Sequence, residues 1–477
     1  MKFESKLKCP MLLWVLDILV CSYLTNARNL FHVPWMQPSI TILGFEKLAR
    51  TPELVRTAAS SQRNVPFNVV SNMDTSSPVS IGTGAMAQTL IGIVQIGTPS
   101  QSFLFQFDTG SSLFWVRSSE CTNAITCSGL PQFNSSASLT FSSSGSQTQQ
   151  IEYGDGSKVS CQMYSDTVIL AGIQISNQKF CAATSIYLPG NLPTIDGIVG
   201  MAPASFNEPS NIFQHLQAQL PNSQVGFWFN RSVTTLAAGS AVSRGAGIIT
   251  FGGLNSDLYS GSIAWIPTIP DLTRWIVPFK GIFIGDNMRI MDSFLKVQNL
   301  SAIFDTGTTF VILPQVIFDP LNSIMGGIDQ NNTGTYILDC RSVSNLPTLT
   351  ISFIEGVTHT LTWDKQILIV QNQCISIFTR NNNGAVDTGE LNRTVTVPPA
   401  IIGASFLRHF YTCFDYNAKR IGLATPVGNN PIPKIRIEHT GSGMTAKQSK
   451  SGSASTRQYW TGLLMMITWT RFILSWI

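Results

Sequence analysis

Asp108-Thr109-Gly110-Ser111 returns later in the chain as Asp305-Thr306-Gly307-Thr308, each time after an apolar run ending in Phe and each time followed by a further hydroxyl residue. The runs Phe103-Leu104-Phe105-Gln106-Phe107 and Ala302-Ile303-Phe304 read as strands, and the glycine allows a sharp turn straight after them. Each Asp therefore sits at a strand-to-loop corner. A second echo follows each copy, Asp196-Gly197-Ile198-Val199-Gly200 and then Pro399-Ala400-Ile401-Ile402-Gly403. The chain reads as a duplication with one acid per half. Two halves related by a pseudo-twofold bring the acids together at their junction, where two like charges do not both ionise readily. One proton is then shared, leaving one carboxyl as base and the other as acid.

Over roughly residues 80–426 these ordered motifs resemble the pepsin-type aspartic endopeptidases. The resemblance implies an all-β, bilobal fold with a cleft between two pseudo-twofold-related lobes. It implies hydrolysis of peptide bonds by a water activated between Asp108 and Asp305, with no metal, no cofactor and no covalent intermediate. Ser111 and Thr308 stand where the family places hydroxyls that donate to the outer carboxylate oxygens. Thr109 and Thr306 match residues that reach across to the opposite loop, and Gly110 and Gly307 complete the two turns.

Ile151-Glu152-Tyr153-Gly154-Asp155-Gly156-Ser157 is a hairpin signal, strand formers around a Gly-Asp-Gly turn. It resembles the family's flap, which closes over bound peptide and excludes water. By that resemblance Tyr153 is the flap tyrosine and Trp115 the residue whose indole holds it. Asp155 at the flap tip resembles the secreted fungal branch, where an acid accepts a basic side chain before the cut. Gln106 stands where pepsin has an aliphatic residue lining the same pocket, so the pocket is expected to be more polar than pepsin's.

At 477 residues the chain is too long for one ordinary domain. Only 12% of residues are charged, against roughly 25% on average, a sheet-rich secreted composition. The net charge of +4 is small and no basic block occurs, so nucleic acid is not expected as a partner. The expected partners are polypeptide substrates, and a monomer is expected. Lys2, Lys6 and Lys8 precede the apolar run Met11–Leu16, interrupted by Asp17, and small residues reach Ala27. Residues 1–27 thus read as a secretory signal peptide. Residues 28–75 show no strand alternation and carry Lys47, Arg50, Arg56 and Arg63. They resemble a basic prosegment that lies in the cleft until acid loosens it, with Lys47 as one candidate for the blocking cation; a short amphipathic surface helix with no inhibitory role is the alternative.

The lobes are expected at 76–262 and 263–426, divided near Phe251-Gly252-Gly253 and Ser260-Gly261-Ser262. A polar linker, 427–455, leads to the apolar end 456–477, which is broken by Arg471. Small residues at 451–455, a spacer and an apolar tail form the pattern of a glycosylphosphatidylinositol attachment signal. A membrane-spanning helix needs about 20 apolar residues, more than this tail offers, and is the second reading of it. A membrane partner through the C-terminus, and a surface or extracellular location, follow. Sequons at Asn134, Asn230, Asn299, Asn331 and Asn392 fit a luminal route, with glycans at surface loops.

Cys9 and Cys21 lie in the signal. By the resemblance Cys121 pairs with Cys127 and Cys340 with Cys374. Cys161 and Cys181 fall on neighbouring strands, where a third bridge is plausible though sequence alone does not fix it. Cys413 takes an apolar strand position and reads as a free buried thiol. No metal-ligand spacing and no His partner surrounds these cysteines, which disfavours zinc and thiol catalysis. A catalytically silent, surface-anchored binding protein on the same fold is the alternative reading. Loss of an Asp or of the flap tyrosine would mark it, and none is lost.

Overall fold

The computed structural model describes residues 67–74 and 89–428, apart from short internal stretches of which the longest are 189–194, 204–210, 232–241 and 382–393. The signal, the prosegment as far as residue 66, the linker and tail beyond 428, and the sequons Asn331 and Asn392 lie outside the described residues.

Alternation builds the strands. Lys158–Leu170 turns Val159, Cys161, Met163 and Ser165 inward and the residues between them outward. Among the described residues thirteen strands form one continuous sheet. Part of it is an antiparallel platform of Tyr259–Pro267, Arg420–Pro426, Tyr411–Asp415, Gln224–Phe229, Val242–Phe251 and Phe67–Asp74, side by side in that order. The last two described strands thus pair inside a sheet whose other members precede residue 268. The division expected at 262/263 falls within the strand Tyr259–Pro267, so the two halves share this sheet.

Phe67–Asp74 belongs to the stretch that shows no strand alternation, yet it is a strand. It is held from both sides: Phe67 to Ser71 pair with Phe251 to Gly247, and Met73 pairs with Leu90. Ladder bonds on two flanks override a weak local signal, because pairing context counts for more in a sheet than intrinsic preference.

Among the described residues four smaller sheets serve the second half of the chain. One large apolar cluster runs through both halves, from Phe105, Phe107 and Phe251 to Trp275, Phe304, Phe353 and Phe406. All three bridges are formed, Cys121–Cys127, Cys161–Cys181 and Cys340–Cys374. The second joins adjacent antiparallel strands, whose register sets Met163 opposite Cys181 and Cys161 opposite Ala183. Cys413 is buried and free, and burial pushes its thiol well above the usual range.

Candidate active site

The duplication seen in the sequence is a duplication of topology. The strand Gln101–Asp108 runs parallel to Gly197–Gly200, with Asp108 opposite Gly200, and Phe114–Arg117 runs antiparallel on the far side of Gly197–Gly200. In the second half Ser301–Phe304 runs parallel to Ala400–Ile402, and Val311–Leu313 runs antiparallel to it. The glycines of the second echo have one role in both copies. A Cβ on Gly200 would lie 2.4 Å from the Ser112 carbonyl carbon, and one on Gly403 would lie 2.2 Å from the Phe310 carbonyl oxygen. Each Asp loop is thus laid directly on a bare backbone.

The two loops cross. Thr109 N–H donates to Thr306 Oγ1 at 3.1 Å and Thr306 N–H to Thr109 Oγ1 at 2.9 Å. Each threonine hydroxyl then donates to the strand that bears the other acid, Thr109 to Phe304 O at 2.9 Å and Thr306 to Phe107 O at 2.8 Å. Gly110 and Gly307 let the loops meet at the acids. A Cβ on Gly110 would fall 2.5 Å from the Asp305 carboxyl carbon, and one on Gly307 would fall 2.3 Å from Asp108 Oδ1. Both carboxyls are buried. Gly110 N–H donates to Asp108 Oδ1 at 2.8 Å and Ser111 Oγ to Asp108 Oδ2. Gly307 N–H donates to Asp305 Oδ1 at 2.7 Å and Thr308 Oγ1 to Asp305 Oδ2 at 2.6 Å. Burial first, then the adjacent Asp305, holds the Asp108 carboxyl well above the usual carboxylate range, against the pull of Ser111 and Gly110. Asp108 is placed to keep its proton.

Glu152 and Lys158 close a hairpin over residues 153–157, where Tyr153 N–H donates to Ser157 O at 2.8 Å and Gly156 takes a φ of 84°. Gly154 faces open space. Trp115 Nε1 donates to the Tyr153 hydroxyl at 2.8 Å, so these two expected neighbours do meet. The same hydroxyl bonds to Ser111, and burial raises the phenol. Asp155 is exposed, and its Oδ1 accepts from Ser157 N–H and Oγ, so one oxygen is committed to its own turn. Gln106 reaches across the halves, its amide donating to Gly307 O at 3.1 Å.

Of the described sequons, Asn134 and Asn299 are exposed. Asn230, beside the undescribed stretch 232–241, is buried, unlike the exposed loop position expected of it.

Several supports of the site carry no sequence signal. Arg117 is buried and donates to Asp196 Oδ1 at 2.9 Å and to the carbonyls of Thr126, Pro131 and Ile195. It pins the Cys121–Cys127 loop to the strand beside Asp108. Met201, Trp275 and Tyr416 also converge behind Asp108. The two aromatics lie far from either motif in sequence, and only the echo that ends at Gly200 points towards Met201.

The family model for eukaryotic aspartyl proteases matches residues 89–426. Gastricsin of Rattus norvegicus is 32% identical over 346 residues, which is 72% of this chain and 82% of that protein. Gastricsin of Homo sapiens is 33% identical over 345 residues, 71% and 82%. A vacuolar aspartic protease of Candida albicans is 33% identical over 338 residues, 69% and 74%. A match that spans both acid loops, the flap hairpin and the shared sheet leaves one conclusion: the chain belongs to the eukaryotic aspartyl protease family and is a pepsin-like aspartic endopeptidase.

Proposed function

We propose that Asp108 and Asp305 are the catalytic acids and hold a water molecule between their carboxyl groups. The ionised acid takes a proton from the water as its oxygen bonds to the peptide carbonyl carbon, while the protonated acid gives its proton to the carbonyl oxygen. Collapse breaks the C–N bond and a proton passes to the leaving nitrogen, so the two products are a carboxyl and an amine. The observation that carries this reading is the crossing of the loops, in which each loop's glycine lies against the other loop's carboxyl. The raised Asp108 carboxyl keeps the shared proton further up the pH scale, so the singly protonated pair on which the step depends extends upward from acid. The test is digestion of denatured globin between pH 2 and 7 by the parent, D108N and D305N, with pepstatin as a second arm. Each single variant should lose at least about a thousandfold, since residues acting as a unit fail together. Either Asn variant cutting as fast as the parent would overturn the assignment.

Tyr153, Gly154 and Gly156 form the flap over an extended peptide, and Asp155 with Gln106 makes the pocket before the cut receptive to basic side chains. D155N should lower cleavage after Lys or Arg relative to Phe by about tenfold, the loss of one charge-assisted contact. An unchanged ratio would remove Asp155 from the pocket. We further propose secretory routing, release from the basic segment in acid, and display at the cell surface on a lipid anchor near 451–453. The composition, the three bridges and the terminal segments support this. Phosphatidylinositol phospholipase C should free the enzyme from membranes, and retention after treatment would favour a spanning tail.

A further inference from the structure

The backbone behind Asp108 is held from the other half of the chain. Asp108 O accepts from Met201 N–H at 2.7 Å, and Ser111 O accepts from Ala202 N–H at 2.8 Å. The peptide unit between Met201 and Ala202 therefore presents its N–H to the very residue whose hydroxyl holds Asp108. The carbonyl of that same unit accepts two bonds, from the Tyr416 hydroxyl at 2.6 Å and from the Trp275 indole at 3.0 Å. Two donors fill the two lone pairs of a carbonyl. A peptide unit is planar, so fixing its oxygen fixes the direction of its N–H.

Trp275 also serves the second acid. Its main-chain carbonyl accepts Phe304 N–H at 3.0 Å, and Phe304 immediately precedes Asp305. Trp275 is 1% exposed. The Tyr416 ring is locked in turn, stacked on Phe213 at 3.5 Å between centroids and set edge-on to Trp275 at 4.8 Å. Asn211 closes the circle: it caps Phe213 N–H at 2.9 Å and donates to Ala202 O at 3.0 Å.

We propose that Trp275 and Tyr416 are positioning residues for the catalytic pair, orienting the Met201–Ala202 peptide and through it the Asp108–Ser111 loop relative to Asp305. Neither side chain touches the substrate. Their action is to set the spacing of two carboxyls that must share one proton, a geometry in which a shift of about 1 Å can cost roughly a hundredfold in rate. The proposal rests on Asp108 and Asp305 being the acids, which D108N and D305N test separately.

The decisive variant is Y416F, which keeps the stack on Phe213 and removes only the donor; W275F and the double variant accompany it. The control is Y411F, a buried tyrosine in a separate cluster whose hydroxyl accepts Asn255 N–H at 3.1 Å. Among the described residues the titratable groups that act on the Asp108 carboxyl are Asp305 and Tyr153, and every variant leaves both in place. We expect kcat to fall about three- to tenfold in Y416F and further in the double variant, with KM within about twofold, as for an interaction felt only in the reacting geometry. We also expect a limb of the kcat–pH profile to move in Y416F and W275F and not in Y411F. If Y416F and W275F keep the parent kcat and both limbs and lose only Tm, the two residues are structural and the proposal fails. If D108N and D305N stay active, the assignment of the acids fails instead. Should W275F not fold, Y416F alone decides by the same readings.

Discussion

Ser111 opposes the two influences that raise Asp108. Its hydroxyl donates to Oδ2 and favours the ionised form, whereas burial and the neighbouring Asp305 favour the protonated one. Removing the hydroxyl leaves only the Gly110 N–H against the raising influences, so S111A should move the alkaline limb of the kcat–pH profile to higher pH and lower kcat about tenfold. The value read from such a limb belongs to the pair and not to one carboxyl. A limb that stays in place or moves to lower pH would show that Ser111 does not govern the shared proton. Trp115 offers a second residue-scale test. Its indole is the donor that fixes the Tyr153 hydroxyl, so W115F should raise KM and lower kcat together by a few-fold through a less ordered flap. Steady-state kinetics on a peptide substrate measure both.

At the scale of elements, the two acid loops and the flap hairpin were legible because each is made of residues with special backbone freedom next to a strand. Gly110, Gly307 and Gly156 announce the turns, and Thr109 and Thr306 announce partners across the junction. The platform strand Phe67–Asp74 was not legible, because its stability comes from ladders to residues 90–91 and 242–251 that no local pattern encodes. Trp275 and Tyr416 were hidden for a related reason: each acts through a backbone carbonyl, and main-chain partners leave no trace in side-chain spacing. The bridges stand between these cases, paired by register once the strands are known. Cys340–Cys374 closes a loop with a sequence separation of 34. Replacing both cysteines with serine should cost about 4 kcal/mol by the loop-entropy relation, measured as a lower midpoint in urea with a slope equal to or steeper than the parent's, since the unbridged denatured chain expands.

Across the whole molecule, acid strains the fold through its buried histidines. His359 sits against Phe353, Phe406 and Phe410, with no hydrogen-bond partner for Nε2 among the described residues, and burial lowers its pKa to about 4. His409 is lowered to about 3, by burial first and then by Arg408. An unfolded histidine titrates near 6.5, so between that value and about 4 the unfolded chain binds the proton that folded His359 refuses. This contribution to stability is fully present above about pH 6.5 and declines as pH falls. H359L should therefore gain Tm relative to the parent as pH drops from 6.5 to 4, with a constant difference above 7. A difference independent of pH would show that His359 titrates alike in the folded and unfolded chain and is not lowered by burial.

Phe67–Asp74 is stitched into the platform along one edge and to Leu90 and Ile91 along the other. Backbone bonds do not require a continuous chain, so a cut anywhere between 75 and 88 divides the polypeptide without loosening that ladder. The nicked enzyme would travel as one particle in a native gel and as two bands in detergent. What is lost from the gene product and what is lost from the working molecule would then be different segments.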